Sequence, residues 1–161
     1  MINKFTIITG AAGFLGHYHC NSLLEMNKSI IILDINKKKL VKLKKILKKK
    51  FKGKKIYDFK IDVTKETQII KLKNLLKKKN FFVDSIINNA AIDAIPKNNT
   101  DEWSFVDTKQ WHKELDVSLL GSYLIIKHFV KDMCKNKKGS IINIGSDLSV
   151  IAPNQKIYKE I

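Results

Sequence analysis

KFTIITGAAGFLG, residues 4–16, decides the fold. A short β-rich run, KFTIIT (4–9), meets glycines at 10, 13 and 16, and a helical segment then continues to about Asn27. Gly10 suits a tight turn, Gly13 lets a ligand come close to backbone, and Gly16 lets the helix close on the strand. The helix N-terminus presents free N–H groups and the positive end of its dipole, a ready site for phosphate. Strand, glycine turn and helix together make the first βα unit of a parallel sheet.

The same alternation runs on from there. SIIILD (29–34) reads as a buried strand, and residues 36–51 as a lysine-rich helix. KIYDFKID (55–62) alternates like a strand, with Thr64 placed to cap a helix reaching about Lys79. VDSIINNAA (83–91), a polar loop, one long helix from about Thr108 to Lys135, and GSIINIGS (139–146) complete the series. Five strands separated by helices predict an α/β fold, a doubly wound parallel sheet of Rossmann type with helices on both faces. Right-handed crossovers give the strand order 3-2-1-4-5, with ligands bound beyond the carboxyl ends of the strands. Residues 1–161 are expected to form a single domain, with no internal repeat or linker.

Composition narrows the class. The 161 residues are 44% hydrophobic and 29% charged, with a formal net charge of +16. All the basic side chains counted in that charge are lysines, whereas sequence-reading nucleic-acid proteins draw on arginine's planar fork. The lysines crowd KKKLVKLKKILKKKFKGKK (37–55) and KLKNLLKKK (71–79). There Leu40, Leu43, Leu47 and Ile69, Leu72, Leu76 recur at helical spacing, so each helix buries one stripe and solvates the rest. No specific nucleic-acid partner and no membrane partner are expected. Cys20 and Cys134 suit a reducing compartment, and no signal peptide is read at the start, so the expected location is cytoplasmic.

Asp34 ends the second strand, about 20 residues beyond the glycine turn, where a carboxylate can accept both ribose hydroxyls of an adenosine. It would repel a 2′-phosphate, so the expected cofactor is NAD, with NADP disfavoured. Asp34 could also cap the next helix. His17, His19 and Cys20 share the first helix, but only 17 and 20 share a face, and no metal site is expected. His112, His128, Trp103 and Trp111 read as surface or packing residues.

Beyond the glycine turn and Asp34, the chain resembles the short-chain dehydrogenase/reductase superfamily along its whole length. Asp62-Val63 ends the third strand, Asn88-Asn89-Ala90-Ala91 looks like the family's Asn-Asn-Ala-Gly motif, and LDVSLLGSYLIIKHF (115–129) resembles its central helix. GSIINIGS resembles the fifth strand ending in the catalytic serine, here Ser146. The resemblance implies cofactor contacts from Gly10, Ala12, Gly13, Phe14, Leu15, Gly16, Asp34, Asp62, Val63, Asn89, Ala90 and Ala91. It implies interconversion of a hydroxyl and a carbonyl on a small-molecule substrate, and homo-oligomers of the full-length protein. The Ile-Ala-Pro loop is similar to that of members acting in surface-carbohydrate or flagellin modification, which suggests a sugar or sugar acid.

Two features depart from the family pattern. Ser118 stands where the family's central helix has an asparagine supporting a water; it either holds a water or bonds back to its own helix. Tyr158 follows Ser146 by twelve residues, but the lysine expected four residues after the tyrosine would fall beyond residue 161. Lys159 points elsewhere on a helix and cannot replace it. Tyr158 is therefore either the acid/base or a loop residue. The chain is expected to lack the family's C-terminal strands and helices and to be inactive by itself. Alternative readings are a sugar-nucleotide epimerase or dehydratase that retains NAD, and a non-catalytic dinucleotide-binding remnant.

Overall fold

A computed structural model describes residues 3–92 and 107–146. In chain order the elements are β1 (Asn3–Thr9), α1 (Phe14–Glu25), β2 (Ile30–Asp34), α2 (Lys37–Lys50), β3 (Ile56–Lys60), α3 (Glu66–Lys78) and β4 (Phe81–Asn88). After a gap in the described residues come α4 (Thr108–Leu115), a π-helical segment (Asp116–Leu120), α5 (Gly121–Lys135) and β5 (Ser140–Asn143). The strands form one sheet in the order β3-β2-β1-β4-β5, and every pairing is parallel. That is the Rossmann arrangement the alternation predicts.

Strand periodicity divides the core into two layers. In β2, Ile30 and Ile32 face one side of the sheet, while Ile31 and Leu33 face the other. The first side packs on Leu24 of α1 and Leu40, Leu43 and Leu47 of α2. The second packs on Ile69, Leu72 and Leu76 of α3 and on Leu124, Ile125 and Phe129 of α5. A strand covered on both faces needs an unbroken apolar run, which is why IIIL is buried throughout. The leucine stripes on both lysine-rich helices are buried as their spacing predicts.

Two expectations are corrected. Thr64 does not cap α3: the N-cap is Lys65, and Thr64 donates instead from its N and Oγ1 to Asp62 Oδ1, at 3.0 and 2.7 Å. A side chain two residues from an aspartate closes a local turn more readily than it reaches a helix end. Nor is the segment 108–135 uniformly α-helical, because a π turn at Asp116–Leu120 interrupts it. Ser118 sits in that turn and donates to Glu114 O at 2.5 Å, and Ser122 donates to Ser118 O at 2.7 Å. Of the two readings of Ser118, the described geometry shows the back-bonded one, in which hydroxyls engage helix carbonyls. Directly after the π turn, Gly121 meets β3's exit: a Cβ there would lie 2.6 Å from Val63 Cγ2.

On the lysine-rich face of α2, Lys37 and Lys44 share one carboxylate. Asp58 on β3 accepts from Lys44 at 2.5 Å and from Lys37 at 3.0 Å, tying α2 to the sheet edge. Burial works to raise the Asp58 pKa, but hydrogen bonds and charge from Lys44 and Lys37 outweigh it and hold the carboxyl below its ordinary value. A depressed carboxylate contributes stability that is complete above its unfolded pKa of about 4 and is lost as pH falls through the folded value. Among the described residues no helix is long and apolar enough to cross a membrane. Asp58→Asn is expected to lower stability by about 1 kcal/mol at pH 7, and by progressively less below about pH 4. Urea melts of both proteins across that range check it; a deficit that persists unchanged at pH 2 contradicts it.

Candidate functional site

The turn after β1 is held from three directions. Gly10 has φ +60°, and a Cβ on it would lie 2.8 Å from Ala90 Cα, so both the dihedral and the crowding call for glycine. At Gly16 a Cβ would lie 2.3 Å from Gly10 O, so α1 can approach the turn only without a side chain there. From β2, Leu33 O accepts from Ala11 N at 3.0 Å, and Asp34 Oδ2 accepts from Ala12 N at 2.9 Å. From β4, Asn89 Nδ2 donates to Thr9 O at 3.0 Å and to Gly10 O at 3.1 Å.

Thr9 completes the arrangement. It is buried, and its Oγ1 accepts from both Asn89 N and Ala90 N at 3.0 Å. These N–H groups leave the sheet ladder where β4 ends, and the threonine hydroxyl supplies the acceptor that a strand no longer does. Farther along the sheet, Asn88 joins β4 to β5: its Nδ2 donates to Asn143 Oδ1 at 2.8 Å, and its carbonyl accepts from Ile144 N at 2.9 Å.

These contacts shape a cavity of about 580 Å³ at the carboxyl ends of the strands. Gly10, Ala12, Gly13, Phe14 and Leu15 line one wall, and Ala90, Ala91 and Asn89 another. Asp34 and Val63 close the far side. Gly16 lies behind this wall as a packing residue. Ile61 and Val63 line the cavity, and between them Asp62 accepts at Oδ1 from Thr64. Ser146 follows β5 and is exposed, outside the cavity lining. Tyr158, Lys159 and Trp103 lie outside the described residues.

The helix-cap reading of Asp34 is also corrected. Asn36 caps α2, its Oδ1 accepting from Lys39 N at 3.0 Å, while Asp34 Oδ1 accepts from Asn36 N at 2.8 Å. Thr9, Asn36, Lys39 and Val117 all build or line the site, and sequence reasoning passed over them. Thr9 was legible in principle, as a polar residue ending an otherwise apolar strand. Val117 was not, because its place depends on the π turn. Among the described residues no cluster of three metal-ligating side chains occurs. Burial pushes the Cys20 thiol up to about 12, which makes it inert.

The cavity suits a dinucleotide on several counts. Each Asp34 oxygen takes a single backbone N–H and retains acceptor capacity. The first turn of α1 has no acidic residue and no side-chain cap among the described residues, which leaves its N–H groups open to an anion. Thr9→Val, nearly isosteric, is expected to cost about 2–4 kcal/mol, because two buried N–H groups lose their acceptor, while Thr9→Ser costs less. Denaturant melts check both; equal stability of Val and wild type would contradict the role given to the hydroxyl.

A model of the family described as short chain dehydrogenase matches residues 4–159. The chain is similar to the 3-oxoacyl-[acyl-carrier-protein] reductase FabG of Buchnera aphidicola, 32% identical over 150 residues, covering 92% of this chain and 57% of that protein. It is similar to the post-translational flagellin modification protein A of Campylobacter coli, 29% identical over 163 residues, covering 98% of this chain and 60% of that one. In fold it matches an NAD+-bound xylitol dehydrogenase with a TM-score of 0.78 at 23% identity, covering 94% of this chain and 56% of that one. The chain thus spans about half the length of the curated relatives it matches, 45% of one and 60% of another. Members of this family bind NAD or NADP. With residues 4–159 matched and the five-stranded sheet in the family's order, the chain belongs to the short-chain dehydrogenase family.

Proposed function

We propose that the cavity at the glycine turn binds NAD in preference to NADP, and that the protein interconverts a hydroxyl and a carbonyl on a sugar or sugar-derived acid. The observation that carries this reading is Asp34, a carboxylate at the end of β2 that lines the cavity and keeps free acceptor sites. Such a group accepts from two ribose hydroxyls and repels a 2′-phosphate. Lys39 lines the same cavity and would attract a phosphate, but no arginine is available to clamp one.

NAD, when bound, accepts or supplies the hydride. The chain's own residues do the rest. The free N–H groups of α1's first turn meet pyrophosphate charge, and Asn89, by holding Gly10 O, keeps the turn from closing over that end. Val63 and Ile61 supply an apolar wall suited to a flat base. Ser146, delivered by β5 and aligned through Asn88 and Asn143, orients the substrate oxygen. A tyrosine acid/base beyond Ser146 is part of this proposal, with Tyr158 as one candidate. The similarity to a flagellin modification protein and to a xylitol dehydrogenase supports a polyol or sugar-derived substrate.

The three-residue glycine spacing also fits an epimerase that keeps its NAD, and net reduction of free NAD separates the two readings. Calorimetric titration of the chain is expected to show NAD binding at least about tenfold tighter than NADP, with the gap narrowed in Asp34→Ala. Equal affinities in the unmodified chain would overturn the cofactor assignment. Joined to the C-terminal part of a longer relative, the chain is expected to form NADH from sugar alcohols or acids. There Ser146→Ala should lower kcat by about 10²–10³ and leave NAD affinity unchanged. Full activity in Ser146→Ala would remove the serine from the mechanism.

A further inference from the structure

Charge changes character along the seam between α3 and α5. Near the carboxyl edge of the sheet the two helices are zipped together, since Glu66 Oε1 accepts from Lys127 and meets His128 Nε2, each at 2.8 Å. Midway, Lys73 donates to His128 O at 2.5 Å and lies 3.3 Å from Asp132. Below that point the pairing stops. Lys77 on α3 and Lys131 and Lys135 on α5 line one cavity of about 750 Å³, at the opposite edge of the sheet from the glycine turn. Asp132, the acid on that lining, is already paired with Lys73, and the three lysines have no ion pair among the described residues.

The floor beneath these ammonium groups is apolar. Leu76 and Phe129 belong to the core, and Phe81 packs its ring 4.4 Å from Phe5 and 4.8 Å from Tyr57. α3 and α5 both end here, and their carbonyl termini offset some positive charge. Lys131 lies a full turn before its helix end, however, and faces the groove with the other two. A cleft of this size is in the usual range for a small-molecule site, about 300–1,000 Å³. Three like charges over an apolar floor match one ligand chemistry: an anionic head joined to an apolar body.

We propose that this groove binds a small amphipathic carboxylate, with the head among Lys77, Lys131 and Lys135 and the tail on Leu76, Phe81 and Phe129. The site is separate from the nucleotide cavity, and the proposal stands independently of the function given above.

The probe is decanoate, kept below its micelle concentration and titrated into the isotope-labelled chain by heteronuclear NMR. The expected result is saturable binding with shifts concentrated at Leu76, Phe81 and Phe129, unaffected by saturating NAD. Decanol, which lacks the charge, and acetate, which lacks the tail, should each bind at least about tenfold more weakly. Lys77→Gln/Lys131→Gln, and separately Lys135→Gln, should weaken decanoate while leaving NAD affinity intact and the melt cooperative. Lys48→Glu/Lys49→Glu, on the exposed face of α2, should leave decanoate binding unchanged. The proposal is overturned if decanoate binds no tighter than acetate or decanol. It is equally overturned if the α2 variant weakens binding as much as the groove variants do, which would mark non-specific attraction to a positive surface, or if NAD displaces the probe.

Discussion

At the carboxyl edge of this sheet, one buried hydroxyl ties the end of β4 to the glycine turn's strand. Thr9 Oγ1 takes two N–H groups from the end of β4, and in doing so fixes the register of Asn89 against the glycine turn. Asn89 then holds the carbonyls of Thr9 and Gly10, while Asp34 holds the amide of Ala12. The turn is therefore fastened from both neighbouring strands, at the switch point where strands adjacent in space are distant in sequence. A phosphate-binding loop that must present backbone groups at fixed positions gains from such fastening, because the ordering entropy is met in folding rather than in binding.

Asp34 has two tasks that are hard to separate. Its carboxylate is the group to which the proposed function gives the ribose, and it is also a structural acceptor for Ala12 and Asn36. Loss of the side chain would loosen the loop along with removing the recognition. The same economy links Asn88 and Asn89, neighbours that work in opposite directions. Asn89 reaches back to β1, while Asn88 reaches forward to β5 and the strand that carries Ser146. The glycine turn and β5 are thus fastened by two adjacent residues at the end of one central strand.

Much of this was legible in the sequence because it is periodic or obligatory. The apolar runs in β1, β2 and β4 and the leucine stripes in α2 and α3 follow from burial and dictated the layers, and right-handed crossovers then gave the strand order. Gly10 and Gly16 were legible because no other residue fits where backbone comes so close. Three features were not legible, for physical reasons. Thr64 could have capped a helix or closed a turn with Asp62, and the nearer partner prevailed. The π turn at Asp116–Leu120 leaves no mark on hydrophobic spacing, so Val117's place in the cavity was hidden. The unpaired lysines between α3 and α5 look like any other solvated lysines until the two helices are set side by side.

The central claim is that the nucleotide cradle is built before the nucleotide arrives. Amide hydrogen exchange of the nucleotide-free chain tests it most directly. The account predicts that the amides of Ala11, Ala12, Asn89 and Ala90 are protected to the same degree as those of Ile7 and Ile8 in β1, and open only with the sheet. Exchange of those four amides at the rate of an unstructured loop, with protection appearing only when NAD is added, would contradict it.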